Sequence, residues 1–403
     1  MTPLSVVPVL GLPEVVAGND VAALLVSALG AEGLRPGDVV VVSSKVISKA
    51  LGLRAAGSEK SELVLGESVR VVAERRSGDG VTRVVEAVAG PVMAAAGIDA
   101  SNTGPAADLL LLPHDPDACA RDLRSALLSR AGMPSGSPFA VVLSDTAGRP
   151  WRAGLTDFAL GSAGLRVLLD HRGEADVDGR VMSVTARAVA DELAAAADLV
   201  KGKADGVAAA VVRGLPEAWF VGGSDEFDSG AAGLVRTGPG DWFAMGHVEA
   251  VRAALGVNPG SPESELVGIR AVGAEPFADR VSRVVALTLF QDEEASIDVE
   301  VRSIAATPTG GDAAGGDAAR DSGSPVSAIG TGATGNVSPG SPEAAVTPGS
   351  PEAVVTLGAA DDFALGQLTQ RLVVAAASED LRAEVLGTPS GEHTVTARLS
   401  PGR

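Results

Sequence analysis

Two short polar segments, at residues 97–102 and 145–152, concentrate carboxylates, hydroxyls and guanidinium groups in a chain otherwise rich in Ala, Val and Gly. The first reads Gly-Ile-Asp-Ala-Ser-Asn and the second reads Asp-Thr-Ala-Gly-Arg-Pro-Trp-Arg. A carboxylate followed by a hydroxyl offers the hard oxygen ligands that Mg²⁺ or Mn²⁺ prefers. Gly148 allows a ligand to approach the backbone, and Arg149 can bind phosphate or carboxylate through two parallel hydrogen bonds. The segments therefore predict two halves of a metal and phosphate site, with polar turns after strands as the alternative.

The elements that must position these side chains can be predicted from apolar runs. Residues 139–143 form a continuous apolar run of strand length, so we expect Asp145 to lie just beyond the end of a buried strand. Ligands of α/β proteins bind at such strand ends. A third polar group, residues 43–49, follows the apolar run 39–42 and contains hydroxyls and two ammonium groups. It favours phosphate recognition, or else a solvated turn whose lysines cap a short helix.

Strand and helix patterns alternate over the first 220 residues and indicate an α/β (α+β) fold. Helices are expected over residues 117–130, where Asp115 is the N-terminal cap, and over residues 185–200, where Gly202 is the C-terminal cap. Strands are expected at residues 38–42, 82–88, 108–112, 139–143 and 208–212.

The length of 403 residues predicts more than one domain. We interpret residues 1–240 as the main domain, and residues 241–305 and 359–403 as a small C-terminal α/β module of unknown function. That module is expected to contain helices over 242–255 and 361–378, a further short helix, and strands at 296–301 and 393–399. Residues 306–358 are rich in Gly, Ser, Pro and Thr and contain a near-repeat, so we predict a disordered linker.

Composition and motifs exclude several classes of function. A formal net charge of −19 argues against a nucleic-acid partner, because such binding depends on clustered Lys and Arg. No apolar stretch is long enough to span a membrane, so a cytoplasmic protein without a membrane partner is expected. The single cysteine, Cys119, excludes an internal disulfide. The spelling Gly-x-Gly-x-x-Gly at residues 330–335 lacks a preceding strand and a following helix, so we reject it as a dinucleotide site.

Five motifs occur in one order that resembles the coenzyme F420-0:L-glutamate ligase family, also called the F420 gamma-glutamyl ligases. The resemblance covers about residues 5–220. The motifs lie at residues 11–14, 44–49, 94–102, 145–152 and 190–203.

The resemblance implies a fold with mixed, largely antiparallel sheets and a homodimer. It also implies ligation of L-glutamate to coenzyme F420-0, with an acyl phosphate intermediate and GTP converted to GDP and phosphate, and it leaves open whether further glutamates are added. Two divalent ions, Mg²⁺ or Mn²⁺, and a monovalent cation, K⁺, are implied as cofactors. The implied metal ligands are Asp99, Asp145 and Thr146, the catalytic residues are Asp145, Lys49 and Arg149, and the GTP-site residues are Leu12, Pro13, Glu14, Val15, Ser44, Lys49, Asn102, Lys203 and Asp205.

The chain departs from the family pattern at two places. Ala153 and Leu155 stand where many relatives carry amide side chains. Asp205 is the only carboxylate after the long helix that is near enough in sequence for a second metal. These departures keep two alternatives open: a non-catalytic nucleotide-binding regulator or scaffold, and a metal-dependent phosphohydrolase. The C-terminal module matches no flavin-binding domain, so no flavin is expected.

Overall fold

The computed structural model describes residues 3–55, 59–103, 108–221, 229–292, 294–303, 326–328, 351–387 and 393–402. The chain divides into two units. Unit 1 comprises Met1–Val72 and Thr82–Ala244, and unit 2 comprises Ala73–Val81 and Met245–Arg403. This division lies at residue 244 rather than 240, and the sequence did not predict that residues 73–81 group with unit 2.

Unit 1 alternates short helices with strands. Its elements are β1 (Ser5–Pro8), α1 (Val21–Leu29), β2 (Val39–Ser43), α2 (Ser44–Ala50), β3 (Arg54–Ala55), α3 (Lys60–Gly66), β4 (Ser68–Ser77), β5 (Gly80–Ala87), β6 (Val92–Ala94), β7 (Leu109–Leu110), α4 (Pro116–Arg130), β8 (Ala140–Arg149), β9 (Arg152–Ala163), β10 (Leu168–Asp170), β11 (Ala186–Ala188), α5 (Val189–Lys201) and β12 (Ala209–Arg213). Parts of β4 and β5 lie within residues 73–81, which belong to unit 2.

The main sheet of unit 1 has the strand order β1-β12-β2-β8-β9. Only the β2 and β8 pair is parallel, and the other neighbours are antiparallel. The four valines 39–42 are completely buried because both faces of β2 are covered. Val40 and Val42 pack with residues of α1 and α4, whereas Val39 and Val41 pack with residues of α5. The mixed, mostly antiparallel α/β architecture confirms the predicted fold class.

The predicted position of Asp145 beyond a strand end is wrong. The apolar run ends at Leu143, but β8 continues to Arg149 and forms a hairpin with β9. Polar residues remain in the strand because backbone pairing with β9 satisfies their N–H and C=O groups. A register shift in the ladder between Leu143 and Ser144 marks the change from apolar to polar residues.

The two long helices of unit 1 agree with their sequence signals. Helix α4 begins with Pro116, and Asp115 accepts a hydrogen bond from the N–H of Ala118 as its cap. Helix α5 ends at Lys201, and Gly202 follows with a φ of 63°, which glycine adopts without strain. The helix begins at Val189 rather than at residue 185, because residues 186–188 pair with β10 as β11.

Unit 2 is a sheet covered by helices. Its further elements are α6 (His247–Ala254), α7 (Pro262–Val267), α8 (Phe277–Leu289), β13 (Ser296–Ser303), β14 (Val326–Ala328), β15 (Pro351–Gly358), α9 (Asp362–Ser378), β16 (Leu381–Gly387) and β17 (Thr394–Pro401). The strand order is β14-β13-β15-β17-β16, and the strands are antiparallel.

Three predictions for this unit need correction. The linker prediction is wrong for residues 326–328, which pair with β13 as β14, and for residues 351–358. In the latter, alternating Ala353, Val355 and Leu357 are buried and make β15 an inner strand. The short helix expected after residue 378 is the strand β16, and α6 begins at His247 rather than at residue 242. Most of the remaining linker, and the Gly-rich motif at 330–335, lie outside the described residues.

Residues 73–81 join unit 2 through polar contacts. The N–H of Glu74 donates to Oε1 of Glu249 over 3.1 Å, and the hydroxyl of Ser264 donates to the Glu74 carboxylate. The guanidinium of Arg75 also binds Glu249.

None of the helices among the described residues has the length and apolar character needed to cross a bilayer.

A buried ionic network holds the helices of unit 2 together. Glu379 is fully buried, and its carboxylate binds Nη2 of Arg252 at 2.6 Å and Nε of Arg283 at 2.9 Å. Nε of Arg280 donates to the Glu379 carbonyl at 2.8 Å. Because the guanidinium groups come from α6 and α8, the carboxylate fixes both helices to the end of α9.

We expect Glu379→Ala to destabilise unit 2 by about 3–5 kcal/mol, because it leaves the buried guanidinium of Arg252 without its carboxylate and leaves Arg283 with Glu275 alone. Urea unfolding, with hydrogen exchange of the α8 and α9 amides, measures the loss. The matched control is Glu300→Ala, since Glu300 pairs with Arg302 at the exposed surface. Equal stability of the two variants would contradict the assignment.

Candidate active site

A cavity of about 1250 Å³ in unit 1 brings most of the predicted site residues together. Ten of the thirteen line it: Leu12, Pro13, Glu14, Val15, Lys49, Asp99, Asn102, Asp145, Thr146 and Lys203. Segments that lie up to 191 residues apart in sequence, from Leu12 to Lys203, thus form one cavity.

The parallel pairing of β2 and β8 positions the side chains of Ser44 and Asp145. Ser43 is the register partner of Ser144, so the next residues, Ser44 at the start of α2 and Asp145 within β8, lie side by side. The hydroxyl of Ser44 is completely buried and donates to Oδ1 of Asp145 over 3.2 Å. Ser44 therefore positions Asp145 from behind and does not line the cavity as a GTP contact.

Asp145 is the most perturbed carboxyl group of the site. Burial raises its pKa from the ordinary 3.8 to about 6, against the opposing effects of the Thr146 N–H, the Ser44 hydroxyl and the Lys45 ammonium. A carboxylate with so little charge compensation favours a bound cation, because a cation would stabilise its ionised form.

Asp99 is held by its own loop and by Lys45. Its Oδ1 accepts the Ser101 N–H at 2.7 Å and the Ser101 hydroxyl at 2.8 Å, which is a local Asx turn. Its Oδ2 lies 2.6 Å from Nζ of Lys45. Burial alone would raise the Asp99 pKa, but Lys45 and Ser101 outweigh it and lower the pKa. Asn102, which follows, has a left-handed φ of 54°, a conformation that Asn adopts more readily than most residues.

Lys49 faces the N-terminal loop. Its ammonium lies 2.6 Å from Oε1 of Glu14, and its side chain is nearly buried whereas that of Glu14 is half exposed. The neighbouring lining residues Leu12, Pro13 and Val15 make this wall largely apolar. A phosphate at Lys49 would share the ammonium with Glu14.

The sequence did not single out a second polar group that lines the cavity. Asp157 on β9 is buried, and its Oδ2 lies 2.6 Å from Nζ of Lys201 and 2.9 Å from the Ser144 hydroxyl. Its Oδ1 accepts the Thr146 hydroxyl at 2.6 Å. Burial raises the Asp157 pKa, but Lys201 reverses the effect and the net shift is downward. Recognising the β8–β9 hairpin would have found Asp157, since it is the register partner of Thr146.

Two other predicted residues do not line the cavity. Arg149 is exposed near the tip of the β8–β9 hairpin, where Arg152 is its register partner. Asp205 lies in the loop after α5, beside Gly202, and is absent from the cavity wall although Ala204 and Gly206 contribute to it.

The distribution of lysine points to the same cavity. Of the 32 basic Lys and Arg residues, only five are lysines, and four of these line the cavity: Lys45, Lys49, Lys201 and Lys203. The fifth, Lys60, lies at the start of α3. Five carboxylates line the same cavity, Glu14, Asp99, Asp145, Asp157 and Asp198, so the lysines place positive charge at separate points of the wall without making the cavity cationic overall. Lysine presents a compact charge, whereas arginine presents a wide planar fork.

The oxygen donors fit a divalent cation shared with a substrate. Among the described residues, no three His, Cys, Asp or Glu side chains form a metal-binding cluster. Mg²⁺ seldom needs one, since it is usually held by one or two carboxylates together with phosphate oxygens and water. Asp99 and Asp145 line the same cavity, and the raised Asp145 pKa leaves a carboxyl whose ionised form a cation would stabilise.

Comparison with known proteins decides the family. The model of the family described as F420-0:Gamma-glutamyl ligase matches residues 54–214. A protein named coenzyme F420:L-glutamate ligase from Methanothermobacter thermautotrophicus is 40% identical over 237 residues, which are 53% of this chain and 90% of that protein. The chain belongs to this ligase family. A second protein of that name, from Haloarcula marismortui, is 42% identical over 236 residues, 52% of this chain and 87% of its own length.

Membership confirms the resemblance and shows that the protein is a ligase-type enzyme. The family-model match ends at residue 214, inside unit 1, whereas the larger segment of unit 2 begins at residue 245. The matched residues include the cavity residues from Asp99 to Ala208, whereas the cavity residues from Leu12 to Lys49 precede the match.

The Asp145 pKa predicts a pH-dependent stability. Because the folded-state pKa of about 6 exceeds the ordinary 3.8, this group favours folding below pH 3.8, and the contribution is lost as pH rises through about 6. We expect Asp145→Asn to be more stable than wild type at pH 8, by at most about 3 kcal/mol, and to lose that advantage near pH 4. Urea unfolding in EDTA at several pH values measures the difference. The exposed Asp122→Asn on α4 is the control, and a gain that does not vary with pH would refute the assignment.

Proposed function

We propose that this protein joins L-glutamate to coenzyme F420-0, with GTP as the phosphoryl donor, in coenzyme F420 biosynthesis. The observation that carries the proposal is the single cavity of about 1250 Å³ that gathers ten predicted ligand residues and four of the five lysines. The cavity belongs to a chain 40–42% identical to proteins named coenzyme F420:L-glutamate ligase.

The reaction requires activation of a carboxylate, which is a poor electrophile. An oxygen of the F420-0 carboxylate attacks the γ-phosphorus of GTP, the bond from that phosphorus to the β-phosphate oxygen breaks, and GDP leaves. The glutamate amine then attacks the carbonyl carbon of the acyl phosphate. A C–N bond forms, the C–O bond to phosphate breaks, and the amine proton passes to solvent. Positioning and charge neutralisation do most of the work in phosphoryl transfer.

The lysines of the cavity would supply much of that charge neutralisation. Lys45 and Lys203 are one-quarter and three-fifths exposed, so both can reach phosphate oxygens in the cavity. Lys49 lies against Glu14 and would bind phosphate on the side of the N-terminal loop. The apolar side chains of Leu12, Pro13 and Val15 would exclude water from the nucleotide on that side.

The divalent ions that the family resemblance implies would be held by Asp99, Asp145 and Thr146. Mg²⁺ or Mn²⁺ supplies positive charge to the phosphate oxygens when bound. The contribution of the protein is to keep these oxygens in place: Ser44 orients Asp145, the Asx turn orients Asp99, and Asp157 orients the Thr146 hydroxyl. The K⁺ requirement, the homodimer and the addition of further glutamates rest on the family resemblance and stay predictions.

The decisive experiment incubates purified protein with F420-0, L-glutamate, GTP and Mn²⁺ and follows the coenzyme by mass spectrometry. We expect its mass to rise by one glutamyl unit or more, with one GDP formed for each unit. Omitting GTP or glutamate should prevent the change. Nucleotide binding without product would instead support a regulator, and glutamate-independent phosphate release would support a phosphohydrolase.

We expect Asp145→Ala to reduce glutamylation by at least about 100-fold, because it removes a ligand of the proposed metal at the phosphoryl group. Circular dichroism checks that the variant is folded. Arg187→Ala is the matched surface control, since Arg187 pairs with Glu192 outside the cavity. Product formation by Asp145→Ala at the wild-type rate would exclude the role assigned to this carboxylate.

A further inference from the structure

Lys203 occupies a position that resembles that of a bound cation. Its Nζ lies 2.7 Å from the Thr146 hydroxyl oxygen, 3.1 Å from Oδ1 of Asp198 and 3.3 Å from Oδ1 of Asp157. These three oxygens come from β8, α5 and β9. One hydroxyl and two carboxylates converging on a point charge form a donor set of the kind that also binds metal ions.

The charges around this ammonium are already balanced. Asp157 and Asp198 contribute two negative charges, and Lys201 and Lys203 contribute two positive charges. Lys201 is buried and lies 2.6 Å from Asp157, so its charge is fixed within the wall of the cavity. These four charged side chains therefore carry no net charge among themselves.

The carboxylates Asp99 and Asp145 differ in this respect. Asp99 has one cationic partner, Lys45, whereas Asp145 has the Ser44 hydroxyl as its side-chain hydrogen-bond partner among the described contacts. Two carboxylates therefore face one ammonium there. A divalent cation would therefore bind beside Asp99 and Asp145.

We propose that the Lys203 ammonium is a built-in cation that takes the place of a second divalent ion beside Thr146, so that the cavity binds a single divalent ion at Asp99 and Asp145. The use of lysine supports this, because an ammonium is a compact point charge like a metal ion, whereas the guanidinium of arginine, which this chain uses elsewhere, is a planar fork. The inference rests on the proposed function for the identity of the nucleotide, and it replaces the two-ion expectation from the sequence.

The test counts bound Mn²⁺. Equilibrium dialysis of the full-length protein with the non-hydrolysable analogue guanosine 5′-(β,γ-imido)triphosphate should give one Mn²⁺ per chain. Electron paramagnetic resonance should show the six-line signal of an isolated Mn²⁺, without the broadening of two coupled ions. A wild-type protein that binds two coupled ions, or none, overturns the proposal, and this measurement needs no variant.

Variants then test Lys203 itself. Lys203→Glu replaces the ammonium with an oxygen ligand, so the Mn²⁺ count should double and the signal should broaden. Lys203→Arg keeps the charge and should bind one ion. Lys60→Glu makes the same charge change outside the cavity and should also bind one. A folded Lys203→Glu that still binds one ion overturns the assignment.

Failure of the inference and failure of the proposed function are distinguishable. If glutamylation is observed and two ions are bound, only the inference fails. If one ion is bound but F420-0 gains no glutamate, only the proposed function fails.

Discussion

The parallel pairing of β2 with β8 is the constraint on which the site depends. It is the one parallel pair in an otherwise antiparallel main sheet, and its register places Ser43 beside Ser144. The buried parts of both strands therefore end at the same edge of the sheet. There β2 continues into α2, and the apolar half of β8 continues into its polar half. The hydrogen bond from Ser44 to Asp145 joins the two segments directly. Burial of the four valines in β2 makes a slip of this register costly, because any slip would expose apolar residues or move the polar ones inward.

Ion pairs between lysines and carboxylates organise the cavity beside the paired strands β2 and β8. Each lysine of the wall is matched to a carboxylate: Lys45 to Asp99, Lys49 to Glu14, Lys201 to Asp157, and Lys203 to Asp198 and Asp157. Pairing holds the ammonium groups in position in a chain that is strongly acidic as a whole. Asp145 has no ion pair among the described contacts, and burial raises its pKa. A ligand that brings its own cation would therefore supply the positive charge that Asp145 lacks.

Local signals in the sequence predicted the regular elements well. The cap Asp115 before Pro116 and the Gly202 after Lys201 predicted the limits of α4 and the end of α5, because capping depends on neighbouring residues alone. Local signals failed where pairing partners decide the outcome. The polar residues after Leu143 stay in β8 because β9 pairs with them, and residues 351–358 form β15 because β13 and β17 flank them. A composition rich in Gly, Ser and Pro concealed the alternation of Ala353, Val355 and Leu357.

The sequence by itself determined the chemistry of the site: its motifs supplied Asp99, Asp145, Thr146, Lys49 and the residues of the N-terminal loop, all of which line one cavity. Only the tertiary structure decided which of those groups face the ligand. It buried Ser44 behind Asp145, left Arg149 at the hairpin tip, and added Asp157 and Lys201, which are 44 residues apart. The physical reason is that residue type fixes what a side chain can bind, whereas its exposure, partners and pKa depend on strand pairing and burial between residues distant in sequence.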